Sequence, residues 1–292
     1  MIYWNDDSLL LATGLPLKNI AEILAVSSNI DEVETSLKNY GEKYLRRYQV
    51  IKEYRNLIQK GKQKLSIIPI IAGMPGIGKT SLAKELSTAL NIGIVIGGDS
   101  LRTTIRQHIS RKENEVFFAS VYNTWKFHGE KSSQTIIEGY KSQAKIMNKT
   151  VERMIADRGL RDGESLIIEY LHFLPSQFDS EVLAHPSIMP IVFKITDKLI
   201  YESRIKDRTN YSHLRSSGVR LFSHMDIYLT MQDYLCEEAN RFGIQIISID
   251  NFNDGFDLAM DYLIEKTANL NKIKDYNKEL QIVQEIQKDR ND

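Results

Sequence analysis

One short stretch constrains this chain more than any other. Residues Gly73-Met74-Pro75-Gly76-Ile77-Gly78-Lys79-Thr80 satisfy the pattern G-x-x-x-x-G-K-[ST]. A loop of this kind turns successive backbone N–H groups inward around phosphate oxygens, which requires backbone angles and close approach that side chains block. Lys79 then supplies charge to the β- and γ-phosphates, and Thr80, followed by Ser81, a hydroxyl to Mg²⁺. The flanks meet the structural condition. Ser66 to Ala72 is an apolar, β-branched run suited to a buried parallel strand, and Leu82, Ala83, Leu86, Ala89 and Leu90 follow at helical spacing. Phosphates held here sit at a helix N-terminus, where the macrodipole favours anions.

From residue 66 onward, strand-like runs at 66–73, 92–98, 165–171, 189–196 and 243–249 alternate with helical stretches. That alternation predicts an α/β fold with a five-stranded parallel sheet flanked by helices. Residues 1–62 read as a helical N-terminal module, 63–268 as the phosphate-loop domain with a lid over about 204–220, and 269–292 as a C-terminal helix. Within the first module, Gly14 to Leu24 has the look of half a helix-turn-helix. Asp31, Glu32 and Glu34 on the would-be recognition helix repel phosphates, so a packing role is favoured.

Composition narrows the partners. Thirty-eight basic and 38 acidic residues cancel over 292 residues, so any polyanion site must be local. Cys236 stands alone, which excludes an intramolecular disulfide and fits a reducing, cytoplasmic setting. The leucines at 9–11 are too closely flanked by charge for a membrane span or signal peptide. The six histidines show no paired metal-ligand spacing.

Chemistry is expected at the carboxyl ends of the strands. Asp99, closing the second run, is placed to orient or deprotonate an acceptor hydroxyl and to help hold hydrated Mg²⁺, or else to cap the next helix; Arg102 follows one turn later as a clamp for an anionic group. Glu169 closes the third run in the manner of a Walker B acid, a partner for Mg²⁺ through water, and His172 follows as a candidate substrate contact. The basic segment from Arg204 to Arg220 reads as a lid whose arginines stabilise a transferring phosphoryl group. Arg204 and Arg208 lead, and Arg215 is a further candidate.

With these residues in view, the chain resembles the archaeal 2-phosphoglycerate kinase family from about residue 66 to 250. The resemblance rests on the phosphate loop, on Ile96-Gly97-Gly98-Asp99-Ser100-Leu101-Arg102, on Ser120-Val121-Tyr122-Asn123-Thr124-Trp125, and on Gly139-Tyr140-Lys141-Ser142-Gln143-Ala144. It continues in Glu164 to Glu169 with His172 and Pro175, then Arg204, Arg208 and Gln232-Asp233-Tyr234-Leu235. It implies a P-loop kinase fold, Mg-ATP as phosphoryl donor and a small anionic hydroxyl acceptor contacted by residues such as Tyr122. Tyr170 stands where the family has glycine and Leu229 where it has arginine, departures that bear on the acceptor. The N-terminal module is similar in placement to the family's ATP-cone domain but shorter. A kinase of nucleoside or polynucleotide hydroxyls and an ATP-driven conformational switch are the alternatives, and the C-terminal helix offers a homodimer contact.

Overall fold

The computed structural model describes residues 7–27, 29–211 and 217–288. Its centre is a five-stranded, all-parallel sheet: β1 (Ile68–Ala72), β2 (Ile94–Gly97), β3 (Leu166–Tyr170), β4 (Ile188–Lys194) and β5 (Gln245–Ser248), in the order β2-β3-β1-β4-β5. Every residue of β1 is buried, as a central strand covered on both faces requires. Ile70 pairs with Ile168 of β3 and with Pro190 of β4. The chain leaves β1 toward β2 on one side and leaves β3 toward β4 on the other. The crevice at the carboxyl ends of these neighbours is the topological switch point at which open α/β sheets bind ligands.

Four α-helices precede the sheet among the described residues: α1 (Asp7–Leu10), α2 (Leu17–Val26), α3 (Ile30–Tyr40) and α4 (Glu42–Gln59). Helix α5 (Lys79–Leu90) follows β1; α6 (Gly98–His108), α7 (Glu115–Phe118) and α8 (Ser133–Met154) follow β2; α9 (Ser180–Ala184) follows β3. Between β4 and β5 come α10 (Lys198–Tyr211), α11 (Ser217–Phe222) and α12 (Met225–Arg241), and α13 (Phe252–Leu270) and α14 (Asn277–Lys288) close the chain. Ser132 and Thr135 form a capping box that starts α8, which runs on into a π-helical turn over Ile155–Arg161. Gly159 on that turn lies so close to β1 that a Cβ there would stand 2.4 Å from Ile68 Cδ1.

The leading helices pack on the sheet layer through α13. Arg47 of α4, 1 % exposed, donates to the carboxylates of Asp257 and Asp261, to Asp257 O and to Thr13 O at 2.7–2.9 Å. Leu37 of α3, the would-be recognition helix, is buried, and Asp31 and Glu32 occupy its first turn behind the Asn29 cap. The last helix differs from expectation. Residues 269–270 still belong to α13, the amides of Asn271, Lys272 and Ile273 close onto carbonyls of that helix's last turn, and the new helix starts only at Asn277. Tyr276 ties its start to Lys62 O through its hydroxyl.

Candidate active site

Between β1 and α5 the chain forms a cradle whose glycines are required sterically. Gly73, Gly76 and Gly78 have φ of 151°, 83° and 106°. A Cβ on Gly73 would lie 2.6 Å from Phe193 O and from Ile77 Cδ1, so no side chain fits. Lys79, the first residue of α5, donates from Nζ to Met74 O across the loop at 2.8 Å. Helix α10 braces the outside: Tyr201 donates to Pro75 O at 2.7 Å, and Arg204 bridges Ile77 O and Asp250 O, both at 2.9 Å. Arg204, expected on a lid, is thereby tied to the phosphate loop and to the end of β5 while still lining the cleft.

Asp250 fixes the same corner. It accepts from the Thr196 and Asp197 amides, from Ser248 Oγ and from Thr196 Oγ1. Burial works to raise its pKa, but the hydrogen bonds from Ser248, Thr196 and Asp197 prevail and pull it to about 2.

In front of the cradle opens a cleft of about 700 Å³. It gathers Gly76, Gly78, Lys79, Thr80 and Ser81 from the loop, Asp99 and Arg102 from α6, Tyr122 from the turn Val121–Phe127, Glu169 and His172 from the end of β3, and Arg204. Thr80 Oγ1 donates to Glu169 Oε1 at 3.1 Å, so the two groups expected at Mg²⁺ face each other across the switch point. Asp99 is exposed in the first turn of α6. That helix is capped at Gly97 without a side-chain bond, so Asp99 is not spent as its cap. Arg208 falls within α10 but its side chain lies outside the described residues, as does Arg215 altogether.

Arg102 has no carboxylate partner among the described residues. Its Nη2 reaches the carbonyls of Phe117 and Ala119, and its buried Nε has no protein acceptor. Burial, with Arg106 alongside, pulls the guanidinium down to about 10. The Asp99 carboxylate acts on the same guanidinium in the opposite direction. His172, 2 % exposed, pairs through Nε2 with Gln143 Oε1 at 2.8 Å. Gln143 itself donates to Val116 O and Ala119 O, so its oxygen must accept and His172 carries its proton on Nε2. Burial, then Arg102, Lys79 and Arg106, hold the imidazole pKa well below its usual value, and it is neutral at pH 7.

Several lining groups escaped the sequence reading. Lys84 stands one turn past Thr80 on α5, a spacing that was readable; Leu221 and Tyr228 come from α11 and α12, and nothing local in the sequence marks them as cleft residues, whereas Arg220, the last residue of the expected lid, does line the cleft. Leu229 does not line the cleft and packs against the core; its neighbour Tyr228 takes the lining position. Tyr170 lines the floor and sends its hydroxyl to Asn148 Oδ1 at 2.9 Å. Five cations (Lys79, Lys84, Arg102, Arg204, Arg220) against three acids (Asp99, Glu169, Asp207) give the cleft a positive balance that the neutral chain lacks as a whole. No helix among the described residues is long and apolar enough to cross a membrane.

A glycine cradle after the central strand, a lysine across it and a threonine–glutamate pair at the switch point of a parallel sheet define a P-loop kinase. No family model matches the chain. Whole-sequence comparison does find relatives. Mevalonate-3-phosphate 5-kinase of Thermoplasma acidophilum is 38 % identical over 187 residues, 64 % of this chain and 90 % of that protein. 2-Phosphoglycerate kinase of Pyrococcus horikoshii is 28 % identical over 289 residues, 91 % of this chain and 94 % of that protein. The enzyme of that name from Methanocaldococcus jannaschii is 26 % identical over 213 residues, 73 % and 68 % of the two chains. The chain belongs to the 2-phosphoglycerate kinase family, and it is an ATP-dependent kinase with an alcohol group as acceptor.

Proposed function

We propose that this kinase transfers the γ-phosphoryl group of Mg-ATP to the hydroxyl of a small phosphorylated hydroxy acid, the class to which 2-phosphoglycerate and mevalonate 3-phosphate both belong. The observation that carries the reading is the unpaired Arg102 beside Asp99 in the cleft that also holds Lys79 and the Thr80–Glu169 pair. A nucleotide-driven switch has no need of an acceptor clamp. The absence of net charge on the chain disfavours a polynucleotide, which calls for an extended basic groove.

The residues fit Mg²⁺ and nucleotide. The glycine cradle leaves room only for backbone N–H groups around phosphate, and a hydrated Mg²⁺ needs few protein ligands, in keeping with no cluster of three metal-binding side chains among the described residues. Thr80 Oγ1 and the Glu169 carboxylate would hold Mg²⁺, with Asp99 reaching it through water, and the ion supplies charge neutralisation at the β- and γ-phosphates. Lys79 exchanges its Met74 carbonyl for those phosphates. Arg102 takes the acceptor's anionic group, with Tyr122 and His172 against its carbon frame. The acceptor oxygen forms its bond to the γ-phosphorus as the bond to the bridging β,γ-oxygen breaks. Its proton passes to Asp99, and ADP leaves. Arg204, with Arg208 and Arg215 from the same segment, spreads the transferring charge.

The test is ADP release from Mg-ATP with 2-phosphoglycerate, mevalonate 3-phosphate, a nucleoside and RNA offered separately. Acceleration by either phosphorylated acid supports the reading; acceleration by the nucleoside or RNA alone overturns it.

A further inference from the structure

The cationic groups occupy only part of the cleft wall. Among the other lining residues are the half-buried Tyr122 of the Val121–Phe127 turn and Leu171 after β3, and the buried Leu221 of α11 and Tyr228 of α12. They are drawn from separate segments between residues 122 and 228, and the aromatic ones are held in place. Tyr122 stacks on His224 with ring centroids 3.9 Å apart and meets Tyr228 edge-on at 6.3 Å and 82°. His224 is itself anchored, its Nδ1 within 2.9 Å of Arg220 O and of Ser223 Oγ. The half-buried Tyr122 and Leu171 therefore present fixed apolar surface in a cleft that also holds Lys79, Arg102 and Arg204.

Such a surface gains nothing from a compact, highly hydrated phosphorylated acid. It gains the transfer free energy of each methyl or methylene laid against it. Building on the kinase reading above, we propose that Tyr122, Leu171, Leu221 and Tyr228 form a hydrocarbon-selecting wall, so that the preferred acceptor is a branched phosphorylated hydroxy acid of the mevalonate 3-phosphate kind rather than three-carbon 2-phosphoglycerate. Arg102 fixes the anionic end and the wall measures the carbon skeleton. Leu171 and His172 at the end of β3 both line the cleft, and the buried imidazole there is neutral.

The experiment compares kcat/KM for mevalonate 3-phosphate and 2-phosphoglycerate in the wild type and in Tyr122→Ala, Tyr122→Phe and Leu221→Ala. The wall predicts a preference for the six-carbon acid of about tenfold or more. Tyr122→Ala removes most of it by raising KM for the larger acceptor, and Tyr122→Phe retains it. Leu221→Ala, a smaller truncation, lowers it partway and serves if Tyr122→Ala does not fold. Preference for 2-phosphoglycerate in the wild type, or equal losses for both acceptors in the alanine variants, overturns the proposal. If neither acid is turned over, the kinase reading fails, and calorimetry of both acids with a non-hydrolysable ATP analogue bound decides the wall separately. Tighter binding of the six-carbon acid sustains it, and equal or absent binding overturns it.

Discussion

The two halves of the cleft are built differently. The half proposed for the nucleotide is built on a strand, its glycine loop and a helix within residues 68–90, and its surface is backbone: glycines at positive φ, with the loop carbonyls of Met74 and Pro75 held by Lys79 and by Tyr201 of α10. The acceptor half is assembled from α6, the turn at 121–127, the end of β3, α11 and α12, and is fixed by side chains: Arg102 on carbonyls, Gln143 between His172 and Ala119 O, Tyr122 on His224. A backbone-built site tolerates little change and serves one ligand chemistry. A site built from side chains on separate elements can change its substrate one residue at a time while the phosphate loop stays as it is.

The comparison can be broken most directly at Lys79. Lys79→Met is expected to lower kcat/KM by at least about 10²–10³-fold with every acceptor alike, because charge on the transferring phosphoryl is lost whatever receives it. An acceptor-dependent loss would blur the two halves. Asp99→Asn follows, with a fall of about 10²-fold in kcat and an unchanged KM for ATP, measured by steady-state kinetics; unchanged turnover removes Asp99 from proton transfer.

Away from both halves, Arg47→Met should cost about 2–3 kcal/mol of stability in denaturant unfolding, since Asp257, Asp261 and Thr13 O lose a shared donor while both acids keep contact with water. Its turnover per folded molecule should hold, and a large fall in kcat would tie the N-terminal helices to the chemistry. The smallest effect belongs to Asp250. Its pKa falls from 3.8 to about 2 on folding, so the ionised form stabilises the fold above the unfolded value, and that contribution is lost as pH drops through the folded one. Asp250→Asn should therefore melt below the wild type at neutral pH, with the gap closing between pH 3.8 and about 2. A gap independent of pH would assign the loss to shape rather than charge.

What could be read from sequence follows the same division. Four of the five strands fall inside the runs marked by their apolar composition and β4 starts one residue ahead of its run, at Ile188, and the phosphate loop, Asp99 and Glu169 could be placed because each is adjacent to such a run. Leu221 and Tyr228 could not, because their place in the same cleft as Asp99 depends on how α11 and α12 return across the sheet. At the position noted in sequence, Leu229 is partly buried beside the core and does not line the cleft, whereas its neighbour Tyr228, a buried core residue, does. The bond from Arg204 to Ile77 O was equally hidden, since a basic run on a helix reads the same whether it is a lid or a brace.

The account stands or falls on the stoichiometry of transfer. Purified protein given Mg-ATP and mevalonate 3-phosphate or 2-phosphoglycerate should form one bisphosphorylated acid for each ADP released and consume little ATP without an acceptor. ATP consumed to ADP and inorganic phosphate with both acids unchanged would contradict it.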